Sequence, residues 1–401
     1  MFDREVVLSS ASPGGHRKTF GALVASVAFT AGALVLPTVH AGENGPKFEL
    51  LYTFTGGNDG AWPAGNLVAD KKGNLYGTTS AGGPNGAGTI YKLAPDGTQT
   101  VIHAFNGMDG NLAMSGLLKG SDGNFYGVTE IGGRNGAGNV YKVTPKGVLT
   151  SIYDFGASDV DGYTPASDLI WGLDGALLGT TVNGGANHLG TVYKVTLDGK
   201  LTILHSFNGV DGKYPAASLV MDAAGNLYGT TSNTASGSSG TVYKIDAKGV
   251  FSVLKTFDHA SGFFSHVPLT LDAEGNLYGA TGAGGATGNG AVFKLTPSGT
   301  FSVLYDFTGG ADGSEPEAGL MLDGQGNLLG TTNWGGYQYN GTVFKLSPDG
   351  KLKTLHSFDG VTGSYSRAAL LRDKATDVHW FYGTTYAGGS GSGVVYRVMK
   401  N

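Results

Sequence analysis

Apolar and β-branched residues in this chain come in short runs separated by Gly, Pro, Asn and Asp, and beyond residue 41 none of the runs keeps a helical period. The first complete set is "NLVAD" (Asn66 to Asp70), "NLYGTT" (Asn74 to Thr79), "TIYKL" (Thr89 to Leu93) and "TQTVIHAF" (Thr98 to Phe105). Val, Ile, Tyr, Phe and Thr at this density predict strands. The intervening "DKKGN" and "APDG" put Asp and Gly where tight hairpin turns need them.

The set then repeats. An aromatic residue followed by Lys or Arg recurs at Tyr91, Tyr141, Tyr193, Tyr243, Phe293, Phe344 and Tyr396, at intervals of 50 to 52 residues, and a "YG" or "LG" pair keeps the same beat from Tyr76 to Tyr382. Four-stranded units repeated around an axis are propeller blades, so the predicted fold is an all-β, seven-bladed β-propeller over residues 48–401. The ends sharpen this. The last unit, closing with "VVYRVMKN", supplies only three strands, while "KFELLYTF" (Lys47 to Phe54) matches the fourth strand of the other units. The N-terminal strand is therefore expected to complete the C-terminal blade, which removes two exposed sheet edges at once.

Composition changes the picture in three ways. The 71 glycines among 401 residues follow no Gly-X-Y period and accompany 40% apolar residues, which excludes collagen and points to a globular chain rich in turns. Residues 1–41 read as a leader: His16-Arg17-Lys18 precede the apolar run Phe20 to Pro37, and Val39 and Ala41 place small residues before a cleavage site. A retained membrane anchor is the alternative reading of that run. Without the leader, 23 basic and 29 acidic residues remain, a net charge of −6, which argues against nucleic acid or an anionic membrane surface as partner. No Cys is present, so the fold carries neither disulfides nor thiolate metal sites.

What recurs in every unit is read as architecture. "GNLYGTT" holds no good nucleophile or base; its Gly77 is expected to admit a neighbouring backbone. The Asp series from Asp70 to Asp373 and the "DG" series from Asp59 to Asp312 are read as turn formers, since one Asp per unit falls short of the oxygen ligands calcium requires. Two residues after each "DG" or its substitute stand Trp62, Leu112, Thr164, Tyr214, Phe264, Glu315 and Tyr365, read as wedges between blades, with stacking platforms as the alternative. His103, His205 and His356 share one fourth-strand slot and look structural. His188, His259 and His266 lack the spacing and carboxylate company of a metal site, and no metal or cofactor is expected.

The units "GNLYGTTSAGG", "GTIYKLAPDGT" and "LHSFNG" followed by "DG" resemble the GloVer tandem repeat of secreted bacterial choice-of-anchor proteins, over nearly all of residues 48–401. The resemblance implies export and a propeller-like repeat, and it transfers no catalytic motif. The anchoring segment it would imply does not follow Asn401, so a freely secreted or periplasmic location is expected.

Function is sought where the units differ, on the face carrying the long loops, such as Ser80 to Gly88 and Asn106 to Gly116. The sixth unit replaces small residues with Trp334, Tyr337 and Tyr339; the loop before it holds Glu315 and Glu317; the next loop adds Tyr365 and Arg367, and the seventh blade adds Tyr386. Aromatics mixed with carboxylates and Arg suit carbohydrate, through stacking and charge-assisted hydrogen bonds. The leading reading is a secreted, non-catalytic binding or scaffolding protein for a glycan or cell-surface polymer. Rivals are a polysaccharide-active hydrolase or lyase using Glu315, Glu317 or Glu130 with Arg367 or Arg134, and a purely structural surface protein. Ring closure makes a direct prediction: deleting Lys47 to Phe54 yields an unstable or aggregating protein. A soluble deletion variant with an unchanged melting temperature contradicts closure.

Overall fold

The computed structural model describes residues 39–40, 47–158, 160–237, 239–373 and 380–399. The leader and its cleavage site, and the segment 42–47, fall outside these residues except for Val39–His40 and Lys47. Among the described residues there is no helix, hence none long and apolar enough to cross a membrane.

Seven antiparallel sheets form the ring. In the first, Val68–Ala69, Leu75–Thr79, Thr89–Leu93 and Gln99–Ala104 are hydrogen-bonded in chain order. Five further sheets repeat this plan, the third with an added strand at Tyr163–Pro165. The seventh joins Leu371–Arg372, Trp380–Thr385 and Val394–Met399 to Phe48–Thr53, with Phe48 opposite Val398 and Thr53 opposite Val394. The expected closure is thus observed, and Val39–His40 pairs on the outside of the closing strand.

First strands are shorter than the sequence suggests, two residues instead of the run Asn66 to Asp70. The residues just before them turn into the central channel and bond across it: the Asn66 amide donates to Asp168 Oδ2 (2.5 Å) and the Ala369 N–H donates to Asn66 Oδ1 (2.6 Å).

The core is a circle of seven apolar clusters, each shared by two adjacent blades. One contact recurs at all seven junctions: the Phe ending a fourth strand meets the third-strand aromatic of the next blade edge to face. Phe105 and Tyr141 lie 5.5 Å apart at 64°, and Phe207 and Tyr243 5.2 Å apart at 66°. Phe54 of the N-terminal strand makes the same contact with Tyr91, at 5.0 Å and 70°.

That ring explains the repeated glycine. A Cβ on Gly77 would lie 2.6 Å from Tyr91 Oη and 2.7 Å from its Cζ; at Gly330 it would lie 2.7 Å from Cζ of Phe344. The reading of Gly77 as room for a neighbouring backbone is corrected: what approaches is the aromatic ring of the adjacent strand. The two threonines that follow do separate work. Thr78 Oγ1 donates to the Ser115 carbonyl of the next blade (2.8 Å), and Thr79 Oγ1 meets Thr89 Oγ1 across the hairpin (2.9 Å). At the opposite end of the strand, Asp70 accepts from the Lys72 and Asn74 N–H groups, the Asn74 amide and the Tyr76 hydroxyl, as its turn-forming role requires.

Gly77→Ala is predicted to destabilise the protein by about 2 kcal/mol or more through overpacking. Gly324, around which a Cβ would meet nothing within 4 Å, is the control: Gly324→Ala is expected to stay within about 0.5 kcal/mol of the parent in denaturant unfolding.

Candidate functional site

On the long-loop face the backbone does something the sequence does not announce. Trp62, Leu112, Thr164, Tyr214, Phe264, Glu315 and Tyr365 all adopt left-handed φ, between 52° and 61°. Such values are uncommon for non-glycine residues and cost on the order of 1–3 kcal/mol each, so the surroundings must impose them. At Trp62, Tyr214, Glu315 and Tyr365 they do so by clasping the residue between two blades. The Trp62 N–H donates to the Ser392 carbonyl of the seventh blade (2.9 Å), and its own carbonyl accepts from the Ser80 N–H of the first (3.2 Å). Glu315 spans Asn289 and Asn333 in the same way, and Tyr365 spans Asn340 and Tyr386. Where Pro follows, as at Pro63 and Pro316, it also disfavours the right-handed helical region for the clasped residue. Backbone groups make the junction, which is why side chains as different as Thr, Trp and Glu occupy it; packing against an aromatic of the neighbouring blade, as the wedge reading expects, occurs at Trp62 on Tyr386 and at Tyr365 on Trp334.

Two residues further on, each chain enters the mouth of the channel. The seven residues there are Ala64, Met114, Ala166, Ala216, His266, Glu317 and Arg367. Four are small or apolar; the three that carry chemistry fall on consecutive blades. All seven line a cavity of about 100 Å³, together with Asn66 and Asp168. Asp168 also accepts from the Gly116 N–H (2.6 Å), so its link to Asn66 forms a polar floor held from two sides.

Above that floor the charged groups connect to the aromatic ones. Arg367 Nε faces Glu317 Oε2 at 3.4 Å, an ion pair without hydrogen-bond alignment, and the guanidinium lies 4.8 Å from the centre of the Tyr386 ring. Tyr386 stacks on Trp62 (5.7 Å, 20°). Trp334 meets Tyr365 edge to face at 4.6 Å. His266 opens into the same mouth and holds Ser232 Oγ through Nδ1 (2.9 Å).

Enclosure shifts these groups. Burial raises the Glu317 pKa, with the Arg367 charge opposing. Burial raises that of Glu315 as well, reinforced by the Glu317 charge and opposed by Arg367. The imidazole of His266 is held below its ordinary value, first by the surrounding protein and then by the Arg367 charge. Burial thus favours the uncharged form of the carboxyls and of the imidazole alike, and the mouth suits hydrogen-bonding ligands.

Of the residues singled out in the sequence, Glu317, Arg367 and Tyr386 come together at the mouth, Glu315 is close enough to feel both charges, and Trp334 packs on Tyr365. Tyr337 and Tyr339 do not join them; at 79% and 68% exposed they stand out in solvent on the outer loop. Glu130 and Arg134 form no ion pair among the described residues, and Arg134 is exposed. His103 and His205 bond Asp109 and Asp211, and His356 bonds Thr362, each tying a fourth strand to the following turn. His259 stacks on Phe263, and no group of three or more His, Asp or Glu placed to hold a metal occurs among the described residues. Sequence reasoning passed over His266 as a site residue and gave Trp62 no special weight. The signal was available, because comparing the seven residues at one register isolates His266, Glu317 and Arg367 among Ala and Met.

The profile of the Gloeobacter/Verrucomicrobia repeat matches residues 20–176 and 161–326. The chain belongs to the Gloeobacter/Verrucomicrobia repeat family. No curated protein sequence matches it significantly. Among solved structures, this repeat protein is similar to streptogramin B lyase, at 16% identity and a TM-score of 0.59 over 88% of this chain and 97% of the other. It is also similar to the extracellular domain of a proposed one-component system from B. thetaiotaomicron, at 14% identity and a TM-score of 0.54; 84% of this chain is covered, but only 38% of that one. A proposed 6-phosphogluconolactonase from Bacteroides fragilis follows at 16% identity and a TM-score of 0.50, over 78% and 91%. At these identities the likeness is one of fold.

Glu130 occupies the position of Ser80 and Tyr386 in its blade, and burial raises its pKa to about 7. Because the folded value lies above the unfolded one, the residue weakens the fold as pH climbs from about 4.5 to about 7 and by a constant amount above that. Glu130→Gln is predicted to stabilise the repeat protein by roughly 2 kcal/mol at pH 8 and hardly at all at pH 4. An equal effect at both pH values contradicts this.

Proposed function

We propose that the protein is an exported binding propeller that takes a carbohydrate at the mouth of its central channel, over blades six, seven and one. The observation that carries this reading is one uninterrupted chain of contacts from Glu317 through Arg367 and Tyr386 to Trp62. It offers a sugar what it needs: an aromatic face for the ring's C–H surface and, beside it, a charged pair able to accept from and donate to hydroxyls. The clasp supports it further, since Trp62 is pinned by its backbone and keeps 40% of its surface exposed. A rigid exposed aromatic loses little entropy on binding. The apolar leader and the net negative charge support export and disfavour polyanionic partners.

A second reading, a hydrolase or lyase acting on the same class of ligand, is favoured by one observation: a carboxyl and an imidazole, Glu317 and His266, share the mouth, and burial perturbs the pKa of both.

A glycan array with the parent, Trp62→Ala and Arg367→Ala tests the proposal. The parent is expected to retain a defined set of glycans, Trp62→Ala to weaken them tenfold or more, and Arg367→Ala to weaken them comparably while both variants keep the parental melting profile within a few degrees. No glycan bound by the parent, or binding indifferent to both substitutions, rejects it. Conversion of a bound glycan to product moves the assignment to the enzyme reading.

A further inference from the structure

Beside the channel mouth lies a second hollow, larger than the mouth itself. It measures about 360 Å³ and is walled by Val182, Tyr214, Ala216, Phe264 and His266, with Ser232 and two asparagines at its polar side. Ala216 and His266 also line the mouth, so the two spaces meet at a common wall. The mouth alone, at about 100 Å³, falls well short of the roughly 300–1,000 Å³ of small-molecule sites, whereas the side hollow lies within that range.

The two compartments differ in chemistry. Glu317, Arg367, Asn66 and Asp168 make the mouth polar and charged. The hollow is bounded by an isopropyl group, a methyl group and two aromatic rings. Tyr214 and Phe264 belong to the left-handed series, with φ of 59° and 57°, and both line the hollow; the Tyr214 backbone is bonded to Leu189 and Ser232. The Ser232 contact holds the His266 ring between the two spaces. A cavity of about 150 Å³ lined by apolar side chains suffices for benzene. The hollow therefore has room for a fused bicyclic ring.

We infer that this hollow is an aromatic subsite continuous with the sugar site, and that the ligand is an aryl glycoside: the sugar at the mouth, the flat aglycone between Tyr214 and Phe264. The inference rests on the carbohydrate reading of the mouth and specifies the class of conjugate it takes. The shared wall fixes the geometry, because a glycosidic oxygen passing from one space to the other must cross beside His266.

The test uses 4-methylumbelliferyl glycosides of glucose, galactose, mannose and glucuronic acid, each free sugar, and 4-methylumbelliferone alone, with titration calorimetry and fluorescence anisotropy on the mature chain. At least one glycoside is expected to bind tenfold or more tightly than its free sugar. Val182→Trp, which fills the hollow, should erase that gain and leave free-sugar affinity unchanged; Phe264→Ala, which removes one ring, should reduce the gain even if the larger substitution fails to fold. Arg367→Ala should weaken glycoside and free sugar alike. An aglycone that adds nothing, or a gain indifferent to both hollow substitutions, overturns the inference. Binding of 4-methylumbelliferone that depends on Val182 and Phe264, with no contribution from any sugar or from Arg367, upholds the subsite and rejects the carbohydrate reading instead.

Discussion

The ring stands on an edge-to-face contact between aromatic side chains, made once at each junction between blades. Each phenylalanine that ends a fourth strand reaches the third-strand ring of the next blade, and each such ring lies over a glycine of its own second strand. Both partners are needed. A side chain on the glycine would lift the ring, and the lifted ring would lose the phenylalanine of its neighbour. Because the contact runs between blades, each blade's core is completed by its neighbour, and the N-terminal strand matters beyond its hydrogen bonds: it delivers Phe54 to Tyr91. Aromatic pairs of this kind contribute about 0.5–1.5 kcal/mol each beyond simple burial, and seven of them act in a closed circle.

A second junction, on the long-loop face, connects this frame to the site. There the adhesive is the backbone of a single residue held at left-handed φ between the loops of two blades. A backbone clasp fixes where a side chain emerges without dictating which side chain it is. The mouth residues follow two positions later and inherit the same placement. Seven equivalent positions thereby face the mouth, and the chain fills four with Ala or Met and three with His266, Glu317 and Arg367. The result is a mouth with one charged sector and one apolar sector, which shares Ala216 and His266 with the hollow beside it.

How much of this the sequence discloses depends on whether a feature is local. Strand spacing, turn residues and the split final blade are local or periodic, and they identify the propeller, its blade count and its closure. The turn role of Asp70 and the structural role of His103 are legible for the same reason, because each bonds within a few residues of itself. Gly77 is misread from sequence since its constraint comes from a ring one strand away. The clasp is invisible there because glycine is the usual mark of left-handed φ, and no clasped residue is glycine. Glu317, Arg367 and Tyr386 stand out as departures from the repeat and do meet, whereas Tyr337 and Tyr339 depart as strongly and remain in solvent. Departure from a repeat marks freedom from the frame; only the register within the repeat tells whether that freedom faces the channel.

The central claim is that at the clasped positions the fold requires the backbone geometry and leaves the side chain free. Thr164 tests it most directly: it is β-branched, held at φ 59°, and its N–H is bonded to the Ala137 carbonyl (3.1 Å). Glycine reaches that φ without steric cost, at an entropic cost of about 0.5–1 kcal/mol in the unfolded chain that is smaller than the strain it removes. Denaturant unfolding of Thr164→Gly should therefore show a stability equal to or above that of the parent, by up to about 1 kcal/mol. A loss of 1 kcal/mol or more would mean that the side chain, and not the clasped backbone, holds the junction.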